Sequence, residues 1–179
     1  MDTQLPTREE SIELLYKLKL DKNIIRHVLA VCKKAVEIAQ KIKNNGYEVN
    51  IKLVEIGALL HDIGRSKTNK IEHAIVGSNI IQELGFPKEL SRIAETHLLG
   101  GIDKEYAKIL GLPPKDYLPK TLEEKIVCYA DKLIKGTVEV SIKKRFKLWK
   151  KRFGDTILLN NSEKNVRKIE SELQELMNK

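Results

Sequence analysis

The stretch ALLHDIGRSK, Ala58 to Lys67, decides the architecture because a run of apolar helical residues ends in two adjacent polar side chains. His61 and Asp62 occupy positions where the apolar face would otherwise continue. Adjacent residues project about 100° apart around a helix, so these two side chains alone cannot form a complete site. We therefore expect their partners to come from other segments of the chain.

The length and composition are typical of a single folded domain with one hydrophobic core. The chain has 179 residues, of which 41% are hydrophobic, which is enough for a single good core. No apolar run approaches the roughly 18 to 20 residues needed to cross a bilayer, and the first ten residues lack the regions of a secretory signal. We expect a soluble, cytoplasmic protein with no membrane partner.

The net charge and the two cysteines indicate which partners and which side-chain chemistry to expect. The 33 lysines and arginines exceed the 25 aspartates and glutamates, giving a net charge of +8. This excess favours anionic partners such as phosphate esters, nucleotides or nucleic acid. Cys32 and Cys128 both lie among apolar residues with helical spacing, so we interpret them as buried thiols rather than as ligands or a disulfide.

Cap and breaker residues divide the chain into helical stretches with no convincing strand, which predicts an all-α fold. Thr7 with Glu10 and Thr121 with Glu124 have the spacing of capping boxes. Predicted helices run from the first box to 18, then over 21–46, 50–61, 71–85, 87–97, 121–136 and 141–153, and from 162 onward. A change in composition after Gly136 predicts a helical core at 1–136 and a C-terminal helical appendage at 137–179.

Polar residues interrupt several of the predicted apolar stripes. His27 lies three residues after Ile24 and four before Val31, inside the stripe of the second helix. His97 and Asp131 occupy equivalent places in later helices, and His73 has Gly77 one turn later, which we interpret as space beside its imidazole.

A single histidine on such a face is usually a hydrogen-bonded core residue. Here the same explanation is needed for all four histidines of the chain and for two aspartates, and an unpaired buried carboxylate costs several kcal/mol. A metal centre satisfies all six at once. Imidazole and carboxylate ligands suit Fe, Mn, Co, Ni or Zn without selecting one of them.

The order His27, His61-Asp62, Asp131 resembles the H…HD…D signature of the HD superfamily of metal-dependent phosphohydrolases, in which HDIG is a common variant. His73 and His97 are similar to the two further histidines of its dinuclear subset. The phrase LEEKIVCYADKL resembles the segment that leads to the last aspartate of that family. The similarity spans about residues 24–136.

The resemblance implies an HD-domain helical bundle with extra C-terminal helices and two divalent metal ions bridged by Asp62. His27, His61 and Asp131 complete the site of one ion, and His73 and His97 hold the other. The implied activity is hydrolysis of a phosphoester bond, of a nucleotide or related small phosphate ester, by a metal-activated water. The segment around His97 lacks the doubled histidine and the GYP element of cyclic-di-GMP phosphodiesterases, which disfavours that activity.

Basic side chains directly after HDIG are candidates for substrate binding. We assign Arg65 to phosphate binding and catalysis because its planar guanidinium binds phosphate with two hydrogen bonds. Lys67 is a second candidate, with a solvated loop charge as the alternative. Glu72 is adjacent to His73 and is a candidate to orient that histidine, with an ordinary surface glutamate as the alternative.

The segment KKRFKLWKKR, Lys143 to Arg152, contains seven basic residues in ten. A stripe on one side of this helix, 141–153, is more typical of packing than of a base-stacking platform; it contains Ile142, Phe146, Trp149 and Phe153. Val166, Ile169, Leu173 and Leu176 form a heptad-like seam that packs on the domain or on a second copy in a homo-oligomer. The alternative to a phosphohydrolase is a metal-bound sensor or nucleic-acid-binding module that uses this basic helix.

Overall fold

The computed structural model describes residues 4–178, and helices dominate this part of the chain, which confirms the all-α prediction. Residues 1–3 and 179, the outer ends of the two predicted divisions, lie outside the described residues. The helices are α1 (Arg8–Lys17), α2 (Lys22–Asn44), α3 (Ile51–Leu60), α4 (His73–Glu83), α5 (Lys88–Thr96), α6 (Lys104–Ile109), α7 (Leu122–Leu133), α8 (Ile142–Phe153) and α9 (Ile157–Met177). Short 3₁₀ turns cover Ile63–Ser66 and Leu98–Gly100.

One short hairpin contradicts the prediction of a chain without strands. Strands β1 (Ile134–Lys135) and β2 (Val138–Glu139) pair antiparallel, with Ile134 opposite Glu139. Helix α7 ends at Leu133, three residues before the predicted end, and Gly136 turns the chain with a φ of +63°. Strands of two residues are too short to show alternation in the sequence, so the hairpin could not be distinguished from a helix end.

Side-chain caps begin most helices where the sequence predicts them. Thr7 forms a complete capping box at the start of α1. The hydroxyl of Thr121 accepts a hydrogen bond from the backbone N–H of Glu124 at 3.2 Å. The Glu124 carboxylate does not return this bond, because it accepts from the Lys120 N–H and from Arg92 instead. The second predicted capping box is therefore only half formed.

Helix α9 begins five residues earlier than predicted, at Ile157 rather than Ser162. Gly154, with a φ of +87°, ends α8, and the Thr156 hydroxyl caps α9 by accepting from the Leu159 N–H at 3.2 Å. Ser162 resembles a cap in the sequence, but it lies inside α9, where its hydroxyl donates to the carbonyl of Leu99.

The hydrophobic core lies between α2, α3, α5 and α7, and α9 packs onto it. Val166, Ile169 and Leu173 of the heptad-like seam are buried in this same core. The seam therefore packs on its own domain. Cys32 and Cys128 are buried free thiols, as expected. The division of the chain at residue 136 stays a prediction. Within residues 4–178, no helix combines the length and apolar character that a membrane span requires.

Candidate metal centre

Four histidines and two aspartates from five separate segments converge, and we call them the metal-site cluster. All of them except the fully buried His61 line the floor of one cavity. The members of the cluster are His27 on α2, His61 and Asp62 directly after α3, His73 at the start of α4, His97 directly after α5, and Asp131 on α7. Nitrogen-to-oxygen distances are 2.9 Å for His27–Asp131, 3.0 Å for His73–Asp62, 3.6 Å for His97–Asp62 and 3.7 Å for His61–Asp131. The structure thus brings together all six residues that the sequence selects.

Backbone carbonyls fix the orientation of every histidine in this cluster. Each ring places its Nδ1 atom 2.7 to 2.9 Å from a carbonyl oxygen: Gly136 for His27, Ala58 for His61, Lys70 for His73 and Ala94 for His97. A carbonyl oxygen only accepts hydrogen bonds, so Nδ1 carries the proton in each neutral ring. The Nε2 lone pairs therefore point towards one another and towards the two carboxylates.

This arrangement of acceptors is unfavourable without a cation between them. The Nε2 atoms of His73 and His97 lie 3.2 Å apart. The Nε2 of His61 and the Oδ1 of Asp62 are buried and make no well-aligned hydrogen bond, although Oδ1 has nitrogen atoms close to it. In two groups of three residues, the potential ligand atoms all lie within 4.8 Å of one another. The first group is His27, His61 and Asp131, and the second is His61, Asp62 and His97. The donor set and its unsatisfied atoms fit divalent metal ions.

The pKa shifts of three members of the cluster, His97, Asp62 and Asp131, suit metal binding at neutral pH. Burial lowers the pKa of the His97 imidazole to about 4, so the ring is neutral near pH 7. Burial alone raises the pKa of Asp131, but the ammonium group of Lys132 and the adjacent imidazoles hold it well below its usual range. The imidazoles around Asp62 have the same net effect on its pKa, against the effect of burial. Neutral imidazoles and ionised carboxylates are the forms that bind metals.

The glycine of HDIG allows two parts of the cluster to approach each other. A Cβ atom on Gly64 would lie 2.0 Å from the carbonyl oxygen of His73 and 2.5 Å from the backbone nitrogen of Gly77. The 3₁₀ turn after Asp62 therefore packs directly on the first turns of α4. Gly77 serves this close packing, so the interpretation that it leaves space beside the His73 imidazole is wrong.

Sequence reasoning missed Lys132, a buried cation beside the cluster. Its side chain is only 3% exposed, and its Nζ donates to Asp131 Oδ2 at 2.5 Å and to the His97 carbonyl at 2.7 Å. The signal was present in the sequence, because a lysine four residues after the buried Cys128 interrupts an apolar face. Lys132 links α7 to the end of α5 and holds the second oxygen of Asp131.

Arg65 and Lys67, the two predicted substrate-binding residues, occupy different environments. Arg65 forms an ion pair with Asp62, with its Nε 2.8 Å from Asp62 Oδ1, and its side chain lines the cavity. Lys67 is exposed and is not part of the cavity lining, whereas Lys70, which sequence reasoning missed, is. Glu72 does not orient His73, because the Lys70 carbonyl binds the available Nδ1.

The cavity above the cluster has a volume of about 600 Å³ and walls from both sides of residue 136. The C-terminal helices contribute Arg145, Trp149 and Phe153 from α8 and Leu159 from α9. The prediction that the apolar stripe of α8 serves packing is correct for Ile142 and Phe146, which are buried. It is wrong for Phe153, which is 59% exposed and lines the cavity.

A strained loop at the cavity is held by α9. Leu99 has a φ of +50°, and it is followed by Gly100 and Gly101, which also have positive φ. A leucine in this region costs about 1 to 2 kcal/mol, so surrounding contacts must hold it there. The Ser162 hydroxyl binds the Leu99 carbonyl, and a Cβ on Gly100 would lie 2.5 Å from Val166 Cγ2. Helix α9 therefore shapes the cavity wall to which Leu99 belongs.

Comparison with known proteins gives matches over most of the chain. A family model described as HD domain matches residues 24–136. The chain is 51% identical over 167 residues to an uncharacterized protein of Methanocaldococcus jannaschii, covering 89% of this chain and 98% of that protein. It is also 45% identical over 130 residues to a tRNA (cytidine(56)-2'-O)-methyltransferase of Picrophilus torridus, covering 73% of this chain but 37% of that enzyme.

Two crystal structures of the HD domain of the Listeria monocytogenes phosphodiesterase PgpH share the fold. Their TM-scores are 0.52 and 0.51 at 22% and 21% identity, and the second is a complex with cyclic-di-AMP. Each comparison covers 91% of this chain, with 98% and 97% of the respective PgpH chain. At this level of identity the likeness concerns the fold alone.

Proposed function

Because this chain belongs to the HD domain family, we propose that it is a metal-dependent phosphohydrolase of the HDIG type with six metal ligands. Its reaction is hydrolysis of a phosphoester bond in a nucleotide or a related small phosphate ester. The observation that carries the proposal is the orientation of the four histidines, since their Nε2 lone pairs face the buried carboxylate of Asp62 and the partly buried carboxylate of Asp131.

The metal-site cluster supplies ligands for two divalent ions. His27, His61 and Asp131 would hold the first, His73 and His97 would hold the second, and Asp62 would contribute to both. The ligand chemistry suits Fe, Mn, Co, Ni or Zn. When bound, such ions acidify a coordinated water and neutralise negative charge that develops at phosphorus.

Residues around the cluster have separate tasks in this proposal. Arg65, which pairs with Asp62 at the cavity surface, is the residue to which we assign binding of phosphate oxygens. Lys132 positions Asp131 by binding the carboxylate oxygen that does not face His27. The Gly136 carbonyl positions His27, which gives the short hairpin a role in the site.

The cavity supports a small phosphate ester as substrate. Its volume of about 600 Å³ lies in the range of pockets for small molecules, and its walls include Arg65, Lys70 and several apolar side chains. The fold neighbour PgpH holds a nucleotide, cyclic-di-AMP. We do not propose the methyltransferase activity of the Picrophilus enzyme for this chain, because the aligned region covers only 37% of that enzyme.

A substrate screen on protein purified without chelators tests the proposal. We expect hydrolysis of at least one member of a panel of nucleoside monophosphates, cyclic nucleotides and dinucleotides, with loss of activity on chelation. Asp116→Asn is a control variant that should hydrolyse the same substrates as the wild type, since this exposed carboxylate lies outside the cavity lining. Turnover that persists unchanged in chelator would contradict a metal-dependent reaction.

A second candidate function is binding of RNA by the basic surface of α8. Two observations favour it: Lys143, Lys144, Lys147 and Lys151 are exposed on one helix, and a relative is named as a tRNA-modifying enzyme. Such binding depends steeply on salt, because each phosphate contact releases counterions. Affinity for a short RNA at two salt concentrations distinguishes this candidate from a small-molecule enzyme.

A further inference from the structure

The aromatic part of the cavity is not used by the metal-site cluster. Trp149 and Phe153 lie one helical turn apart on α8, and both line the cavity whose floor is formed by the cluster. We call these two residues the aromatic wall. Phe153 is 59% exposed, whereas Ile142 and Phe146 of the same helix are buried in the core. Packing within the chain therefore does not explain why an aromatic side chain is placed there.

Trp149 is held rigidly enough to act as a binding surface. Its ring lies edge-on to Phe146, with ring centroids 5.1 Å apart, and the Arg145 guanidinium is 5.4 Å from its ring centroid. Arg145 is fixed in turn by the carbonyls of Lys132, Asp131 and Ile134. The indole is thus positioned from the same backbone segment that carries the ligand Asp131.

We propose that the aromatic wall binds the base of a nucleotide whose phosphate lies at the metal-site cluster. This proposal rests on the proposed function and deepens it, because it selects nucleotides over phosphate esters without a base. Three features support a base as the occupant: the wall and the cluster share one cavity, basic side chains border it, and every base has a flat face that stacks on aromatic rings.

The chain offers a direct optical test, because Trp149 is its only tryptophan. A base that stacks on the indole changes its fluorescence, whereas a phosphate bound at the floor does not touch it. Zn²⁺-loaded protein is titrated with adenosine monophosphate and, separately, with ribose 5-phosphate. We expect strong quenching by the nucleotide and none by the sugar phosphate, and calorimetry of both ligands should show half-saturation by the nucleotide at a concentration at least about ten-fold lower.

Variants separate stacking from a general effect on the fold. Phe153→Leu should weaken binding of adenosine monophosphate about five- to ten-fold and leave ribose 5-phosphate unchanged. Tyr16→Leu is the matched control, because Tyr16 is an aromatic side chain of similar exposure, 60%, outside the cavity lining. In calorimetry, Trp149→Phe should retain the preference for the nucleotide and Trp149→Leu should lose it.

The outcomes distinguish this proposal from the hydrolytic one. Equal affinity for the two ligands, or an equal loss for both in Phe153→Leu, overturns the base-binding wall even if phosphate esters are hydrolysed. Quenching by the nucleotide as expected, without hydrolysis of any ester, supports the wall and contradicts the hydrolytic function. Absence of both binding and hydrolysis overturns both proposals.

Discussion

The floor and the aromatic wall of the cavity are built in opposite ways. The metal-site cluster is polar and mostly buried, comes from residues before 136, and has each histidine fixed by a backbone carbonyl. The aromatic wall, Trp149 and Phe153, follows residue 136 and is open to solvent at Phe153. The difference indicates that the proposed metal chemistry depends on fixed side-chain geometry, whereas the proposed base binding uses Phe153, which the fold leaves exposed, beside a fixed Trp149.

Replacement of the shared carboxylate tests the floor most severely. Asp62→Ala should lower turnover about 1,000-fold or more, on the order of 4 kcal/mol, because both proposed ions lose a ligand. Metal content, measured by plasma mass spectrometry, should fall together with activity, while Phe153→Leu keeps its metal. Full activity and full metal content in Asp62→Ala would contradict the proposal that Asp62 is a ligand of both ions.

Gly64→Ala tests whether the spacing of the floor depends on backbone contact. The new methyl group would overlap the His73 carbonyl, so we expect a loss of about 2 to 3 kcal/mol in the free energy of unfolding, together with weaker metal binding. Gly77→Ala is the comparison, since its nearest contact would be 3.2 Å and the expected loss is smaller. Urea unfolding measures the stability of both variants. Equal stability would show that the backbone relieves the overlap with the His73 carbonyl at little cost.

The two predicted phosphate-binding residues offer a test within one loop. Arg65→Ala should raise the barrier to turnover by about 1.5 to 3 kcal/mol, the range for hydrogen bonds to charged groups. Lys67→Ala should change it by less than about 0.5 kcal/mol, because Lys67 is exposed outside the cavity lining. Steady-state kinetics on the preferred ester decides between them, and a larger effect at Lys67 would reverse the assignment.

Lys132→Met removes the cation that holds Asp131 and should weaken metal binding about 10- to 100-fold. The expected effect is smaller than that of losing a ligand, since Asp131 itself remains. Lys135→Met is the matched control, because Lys135 is the exposed residue of β1. Metal titration by calorimetry gives both affinities, and unchanged affinity in Lys132→Met would assign Lys132 to stability alone.

Neutralising the exposed lysines of α8 should have the smallest effect on hydrolysis of a small nucleotide. Glutamine at Lys143, Lys144, Lys147 and Lys151 should change turnover less than about two-fold, because screened surface charges contribute little. If the helix binds RNA, the same variant loses affinity, and its salt dependence falls by roughly one unit of slope per lost phosphate contact. Kinetics and RNA titration on one preparation compare the two functions.

The sequence predicted the parts of the molecule that local rules control. Histidines and aspartates inside apolar stripes were visible because burial of such groups is costly, and all six converge. Lys132 interrupts an apolar face in the sequence, but one of its partners, the His97 carbonyl, lies at the end of another helix, so its role became visible only where α5 and α7 meet. The exposure of Phe153 was also hidden, since a stripe on one helix does not show whether the neighbouring elements cover all four positions or leave the last one exposed.

Metal stoichiometry with reversible activity tests the central claim most directly. Wild-type protein purified without chelators is measured for bound metal and for hydrolysis of its preferred ester, then stripped, and then titrated with each of the five candidate divalent metals. We predict about two ions per chain, loss of hydrolysis when the metal is stripped, and recovery of hydrolysis that follows the return of metal. Folded protein that binds no metal, or that hydrolyses the ester equally well when stripped, would contradict it.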